Sequence, residues 1–307
     1  MNINLILKKA STELKKAGIK TADLDVQVLL KYVLEKDDVY VLSHRDEMIT
    51  NSQYQKFRRL IQRRKKGEPV TYLVGHKEFY GLDFFVNKNV LIPRPETEVL
   101  VEETLKYLRT KELKNNKPAN QPISIIDIGT GSGCIIISIA NSLKPRELGA
   151  PSGLIANGPS PRFYASDISK KALYVAKKNA KLHQVSDEIR FFYSNLFANK
   201  RLPKKFDLII VNLPYLDEKS KGKKTRSDNI GLNFEPEQAL YAGQKGFALI
   251  GKLVNELPAK LNSGGIALLE VNDSHSKELS TLCKKLNLKV SRLKNSSGWN
   301  GFYQIYL

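Results

Sequence analysis

An asparagine, a proline and a tyrosine close an apolar run at Phe206–Tyr215, FDLIIVNLPY. Asn212 offers one acceptor and two donors, and Tyr215 offers a flat face and a hydroxyl. Pro214 lacks an N–H and has a fixed φ, so the chain cannot continue a sheet there and its carbonyls can face a ligand. Together these groups suit the grip of a planar group carrying an NH2, either a carboxamide or an exocyclic amine. Leu208–Val211 has the composition of a strand buried on both faces. The carboxyl end of such a strand is where open α/β sheets bind their ligands. Taken alone, an ordinary Asn-Pro turn is the better explanation. The rest of the chain outweighs it.

A second constellation lies upstream. Ile123–Ile128 reads as a buried strand running into Asp127-Ile128-Gly129-Thr130-Gly131-Ser132-Gly133, and apolar residues at helical spacing follow. Strand, glycine turn and helix together make a glycine motif meaningful. The spacing is G-x-G-x-G, neither the dinucleotide fingerprint nor a P-loop. With Asp127 on the strand it looks like the pattern of S-adenosylmethionine-dependent methyltransferases, whose glycines let the backbone approach the cofactor where a Cβ would collide. Phe163–Asp167 is a strand ending in an acid, suited to the two hydroxyls of a ribose. Asp167 lies further from the glycines than the usual ~20 residues. The Gly-, Pro- and Ser-rich insertion at 144–162 accounts for the excess. A third strand, Ile189–Tyr193, leads to Ser194-Asn195-Leu196-Phe197, where a side chain could pack on an adenine.

These groups need elements to carry them, and composition bounds what those are. The chain has 307 residues, 41% hydrophobic and 26% charged, enough for a small domain and a larger one. Its net charge of +19 points to an anionic partner such as nucleic acid or a nucleotide cofactor, although lysine enrichment alone explains it equally well. Two cysteines, Cys134 and Cys283, exclude a disulfide framework and point to a reducing cytosol. The start lacks a signal-peptide core and no run approaches transmembrane length, so the expected location is cytoplasmic.

Residues 1–67 read as a helical bundle. Ile6, Ala10, Leu14 and Ala17 share a face, as do Val26, Leu29, Leu30, Val33 and Leu34, and then Tyr54, Phe57, Leu60 and Ile61. The run Arg63-Arg64-Lys65-Lys66-Gly67 is a helix stop, read as a solvated end. Residues 68–95 carry two β-rich runs flanking Gly81 and read as a linking hairpin. Pro93-Arg94-Pro95 then forces extended chain before a helix opens at Glu96-Thr97-Glu98. Polar loops are expected at 110–122 and, strongly basic, at 217–229. Phe247–Leu261 reads as a helix that Pro258 kinks or ends, Gly265–Val271 as a strand carrying Glu270, and Leu288–Val290 with Gly301–Leu307 as an antiparallel edge pair.

Together, GEPVTYLVGHKEFYGLDFFVNKNVLIPRPETE, DIGTGSGCI, the strand-end Asp167, NLPY and FEPEQAL resemble one family over nearly the whole chain: the release-factor glutamine methyltransferases, the HemK/PrmC family. The resemblance implies an α/β fold of the class I methyltransferase type, Rossmann-like, with a mostly parallel seven-stranded sheet. It also implies a helical docking domain at 1–67, a hairpin linker at 68–95 and a catalytic domain at 96–307. The implied activity moves a methyl group from S-adenosylmethionine to the side-chain amide nitrogen of the glutamine in the Gly-Gly-Gln loop of class 1 peptide chain release factors. Asp127, Gly129, Thr130, Gly131, Gly133, Asp167, Leu196 and Asn212 would hold the cofactor. Asn212, Leu213, Pro214 and Tyr215 would hold the glutamine, with Arg94, Pro95 and Glu96 lining the pocket. Asn212, Pro214 and Tyr215 would carry the catalysis, with no metal. Two departures stand out: Leu213 replaces the first proline of the family's N-P-P-Y, and Asn195 stands where an acid is common.

The expected partner is a release factor, met by a monomer with no membrane and no stable nucleic-acid partner. Rival readings use the same residues. An amino-methyltransferase of nucleic-acid bases applies the same N-x-P-Y logic to a flipped base and suits the positive charge. A glutamine of a ribosomal protein is a second possible acceptor, and a catalytically silent binding protein is a third reading.

Overall fold

The computed structural model describes residues 1–109, 121–144, 159–220, 227–243, 246–293, 298 and 301–307. Most of the polar loop at 110–122 and of the insertion at 144–162 lies outside the described residues, as does part of the basic loop at 217–229. The chain forms two compact units: 1–76 with 86–88 and 222–235, and 77–85 with 89–221 and 236–307.

The first unit is helical. Its helices are α1 (Ile3–Lys16), α2 (Ala22–Leu34), α3 (Asp38–Ser43), α4 (Asn51–Lys65) and α5 (Val70–Val74). Asn2 caps α1 by accepting from the Leu5 N–H at 2.9 Å, and Thr50 with Gln53 forms a reciprocal capping box on α4. The faces expected from periodicity meet in a core that includes Ile6, Leu14, Val26, Leu29, Leu30, Phe57 and Ile61. The sequence reading missed α3 and α5, which are too short to show a helical period. Because Leu73 of α5 packs in this core, the unit runs on to His76, past the break expected at Gly67. The basic end of α4 is not simply solvated. Arg64 Nε donates to Asp25 Oδ2 at 2.6 Å, and Arg63 pairs with Glu68.

In the second unit a hairpin, β1 (His76–Phe79) and β2 (Leu82–Phe85), precedes a 3-10 turn at Pro95–Thr97 and α6 (Glu98–Arg109). Then follow β3 (Ser124–Ile128), α7 (Cys134–Ser142), β4 (Arg162–Asp167), α8 (Lys170–Leu182), β5 (Ile189–Tyr193) and β6 (Phe206–Asn212). The remaining elements are α9 (Glu237–Leu240), α10 (Ala248–Lys260), β7 (Leu261–Glu270), α11 (Ser276–Lys285), β8 (Lys289–Arg292) and β9 (Phe302–Tyr306). Pro258 sits inside α10 without ending it at once: only Ala259 and Lys260 follow, and the proline forfeits a single N–H bond.

Among the described residues the sheet has seven strands in the order β5-β4-β3-β6-β7-β9-β8. β9 runs antiparallel to both β7 and β8, and the other pairings are parallel. The order reverses between β3 and β6, which makes the crevice at their carboxyl ends the natural ligand site. Register does the rest. Ile128 pairs with Ser166 on one side and with Val211 on the other, while Asn212 pairs with Glu270. Gly129, Asp167, Asn212 and Glu270 therefore leave the sheet along one edge. Below it, Ile126, Ile209, Val211, Leu253, Leu257 and Leu269 are fully buried in one core, which holds that edge rigid. No described helix is long and apolar enough to cross a membrane.

Candidate active site

The glycine turn after β3 is built from left-handed backbone: φ is +75° at Gly129, +56° at Gly131 and +83° at Gly133. The Gly129 and Thr130 N–H groups donate to the Ser166 carbonyl at 2.8 and 3.0 Å, tying the turn to β4. A Cβ on Gly133 would meet Ile137 Cδ1 at 2.7 Å and Ala176 Cβ at 3.2 Å. One on Gly129 would meet Leu213 Cδ2 at 2.8 Å. Packing against Ala176 thus requires a glycine at 133, whereas the tip of Leu213 can turn aside from Gly129. Only at Gly131 would a Cβ enter open space. Leu213, the departure from the family pattern, is buried and closes over Gly129.

Two acids brace the turn. Asp167 Oδ2 accepts from the Gly131 N–H at 2.9 Å and Oδ1 from the Ser169 N–H at 2.7 Å. Burial raises its carboxyl above the usual range, against those two hydrogen bonds. Asp127 is almost fully buried, and its Oδ2 accepts from Thr130 Oγ1 at 2.6 Å. Burial pushes Asp127 up to about 7, with the Thr130 hydrogen bond opposing and the Asp167 charge adding.

On the other side of the crevice, Asn212 Nδ2 donates to Thr97 Oγ1 at 3.1 Å. Thr97 Oγ1 donates in turn to Glu270 Oε2 at 2.7 Å, and Tyr215 Oη lies 3.5 Å from Glu270 Oε1. Burial pushes Glu270 up to about 7, opposed by the Thr97 hydrogen bond. The Tyr215 hydroxyl is raised by the same burial and by the Glu270 charge.

A cavity of about 250 Å³ joins the two halves. Its lining brings together Arg94, Gly129, Thr130, Gly131, Asp167, Leu196, Asn212, Leu213 and Pro214 from the sequence-predicted set. Asp127, Gly133, Pro95, Glu96 and Tyr215 lie outside that lining, and the first two support the turn from behind. Sequence reasoning gave Thr97 and Glu270 no site role. A threonine in a helix-opening triplet and an acid in a strand have no motif spacing, and only the fold makes them neighbours. Gln238 and Ala239 also line the cavity, signalled by the FEPEQAL motif, as does Tyr241 just after it. Leu196 adopts φ +51°, uncommon for a non-glycine, and Ser194 Oγ bonds its carbonyl at 2.7 Å to hold it.

A family model described as the PrmC N-terminal domain matches residues 6–75, and one described as a methyltransferase domain matches residues 120–305. The release factor glutamine methyltransferase of Flavobacterium psychrophilum is 36% identical, covering 81% of this chain and 79% of that protein. This chain belongs to the release factor glutamine methyltransferase family. The corresponding protein of Rhodopirellula baltica is 33% identical over 84% of this chain and 79% of its own length. A bifunctional methyltransferase of Rickettsia felis is 34% identical over 88% of the chain, but the chain spans only about half (51%) of that relative's length. Among solved structures, the hMettl16 catalytic domain in complex with MAT2A 3'UTR hairpin 1 matches with a TM-score of 0.51 at 12% identity, over 90% of this chain and 89% of that one. That likeness speaks for the fold alone.

Proposed function

We propose that the chain transfers a methyl group from S-adenosylmethionine to the side-chain amide nitrogen of a glutamine in the Gly-Gly-Gln loop of a peptide chain release factor. The observation that carries this reading is the single cavity lined by both the glycine turn with Asp167 and the Asn212–Pro214 segment. Family membership supports it. The residues present fit the cofactor: the left-handed turn at Gly131 leaves a cradle that a side chain would fill, and the buried strand-end Asp167 matches a ribose diol. Leu196, Ile168 and Ala172 supply apolar wall for an adenine. When bound, the cofactor supplies an electrophilic methyl group on a sulfonium.

An amide nitrogen is a weak nucleophile because its lone pair is delocalised into the carbonyl. Asn212 and the carbonyl of Leu213 or Pro214 would accept its two N–H bonds and hold the nitrogen in line. Positioning of this kind is worth about 7–11 kcal/mol. So held, the nitrogen would take the methyl group as its bond to the sulfonium breaks, and would release one amide proton to solvent. A glutamate would leave Asn212 unpaired at a cost of roughly 1–3 kcal/mol, which selects the amide. The test is label transfer from S-adenosylmethionine to a purified release factor, to its Gly-Gly-Gln→Gly-Gly-Ala variant and to duplex DNA. Label on the wild-type factor alone is expected. Label on DNA, or equal label on both factors, overturns the reading.

A further inference from the structure

The hydrogen-bond chain behind Asn212 has a direction, and the direction has a consequence. Thr97 is buried, and its hydroxyl has one proton to give, which goes to Glu270 Oε2 at 2.7 Å. Its oxygen can then only accept from Asn212, whose Nδ2 lies 3.1 Å away. Were the Asn212 amide reversed, two oxygens would face each other with no proton between them, and a buried polar pair cannot tolerate that. The order holds wherever Oε2 carries no proton. A proton on Oε1, the oxygen 3.5 Å from Tyr215 Oη, leaves Oε2 free to accept.

We infer that Thr97 is a positioning residue: with Glu270 behind it, it locks the Asn212 side chain with its nitrogen inward and its oxygen toward the cavity, so that the site accepts only nucleophiles bearing an N–H. This rests on the methyl-transfer reading for its kinetic consequence but not for the lock itself. A 3-10 turn at Pro95–Thr97 and the end of β7 thus set the chemistry of a residue on β6. Neither Thr97 nor Glu270 needs to touch the methyl group or the transferred proton.

The test uses the full chain with Thr97→Val, which keeps the branched shape and removes the hydroxyl, and Thr97→Ser, which keeps the hydroxyl. The first readout is methylation of the release factor. Thr97→Val is expected to lower kcat by about tenfold to a hundredfold with KM for the release factor and Kd for S-adenosylhomocysteine unchanged, and Thr97→Ser to recover it to within about threefold. The second readout is the side-chain NH2 resonance of Asn212, assigned by its loss in Asn212→Ala. It is expected to move upfield in Thr97→Val and to return in Thr97→Ser. A kcat within twofold of wild type in Thr97→Val, or an unmoved Asn212 resonance, overturns the inference. If wild-type protein labels no release factor, the functional reading falls and the resonance alone decides the lock. Should Thr97→Val unfold, Glu270→Met removes the acceptor from the far end and carries the same expected displacement.

Discussion

The three glycines of the turn have different jobs, and alanine substitution should separate them. At Gly133 a Cβ adds two costs. The left-handed backbone at φ +83° penalises an L-residue by about 1–2 kcal/mol. Contacts of 2.7 Å to Ile137 and 3.2 Å to Ala176 add overpacking of about 1–3 kcal/mol, because Ala176 belongs to a packed helix that cannot yield freely. Gly133→Ala should therefore lose about 2–5 kcal/mol of stability. At Gly131 only the backbone cost of about 1–2 kcal/mol applies, because the Cβ would come no closer than 3.9 Å to the Gly129 carbonyl. That Cβ would occupy the cavity Gly131 lines, so Gly131→Ala should weaken S-adenosylhomocysteine binding more than tenfold. Urea unfolding reads the first effect, and calorimetric titration at a temperature where both variants are folded reads the second. Equal stability loss in the two variants, or cofactor affinity untouched in Gly131→Ala, would refute the division of labour.

Two further outcomes follow from buried charge. Asp127 has its pKa raised from 3.8 to about 7, so the folded state holds the proton more tightly than the unfolded state. Its contribution to stability is full below 3.8 and is lost as pH rises through about 7. Measured against Asp127→Asn, in which nothing titrates at this position, the wild type should lose about 3 kcal/mol of relative stability between pH 5 and 8. Parallel unfolding profiles would show that Asp127 is ionised throughout. In the helical unit, Arg64→Met strands Asp25, whose side chain is 9% exposed and also accepts from Thr21. The loss should be about 3–5 kcal/mol by urea unfolding, and Arg64→Met combined with Asp25→Leu should recover most of it. A loss below 1 kcal/mol would mean the pair is effectively solvated.

Much of the molecule was legible because long-range order left local marks. Runs such as Leu208–Val211 carried the composition of central strands, and G-x-G-x-G between strand and helix marked one wall of the cavity. The short α3 and α5 were not legible, since five or six residues are too few to show a period and their helicity comes from docking on the core. The motif signalled a tight turn, but that Gly133 is packed against its neighbours while Gly129 and Gly131 line the cavity depends on where Ala176 and Leu213 arrive.

The sequence by itself determined the groups on offer: a strand-end Asn212, a glycine turn and a strand-end Asp167. Motif spacing is a local property, so each of these groups could be read from its own neighbours in the chain. Only the tertiary structure decided that Thr97 and Glu270, distant from Asn212 in sequence, stand behind it and give its amide a direction. The physical reason is the parallel register. Pairing of Asn212 with Glu270 across β6 and β7 brings the carboxylate to the crevice, and no spacing within a single element encodes that pairing.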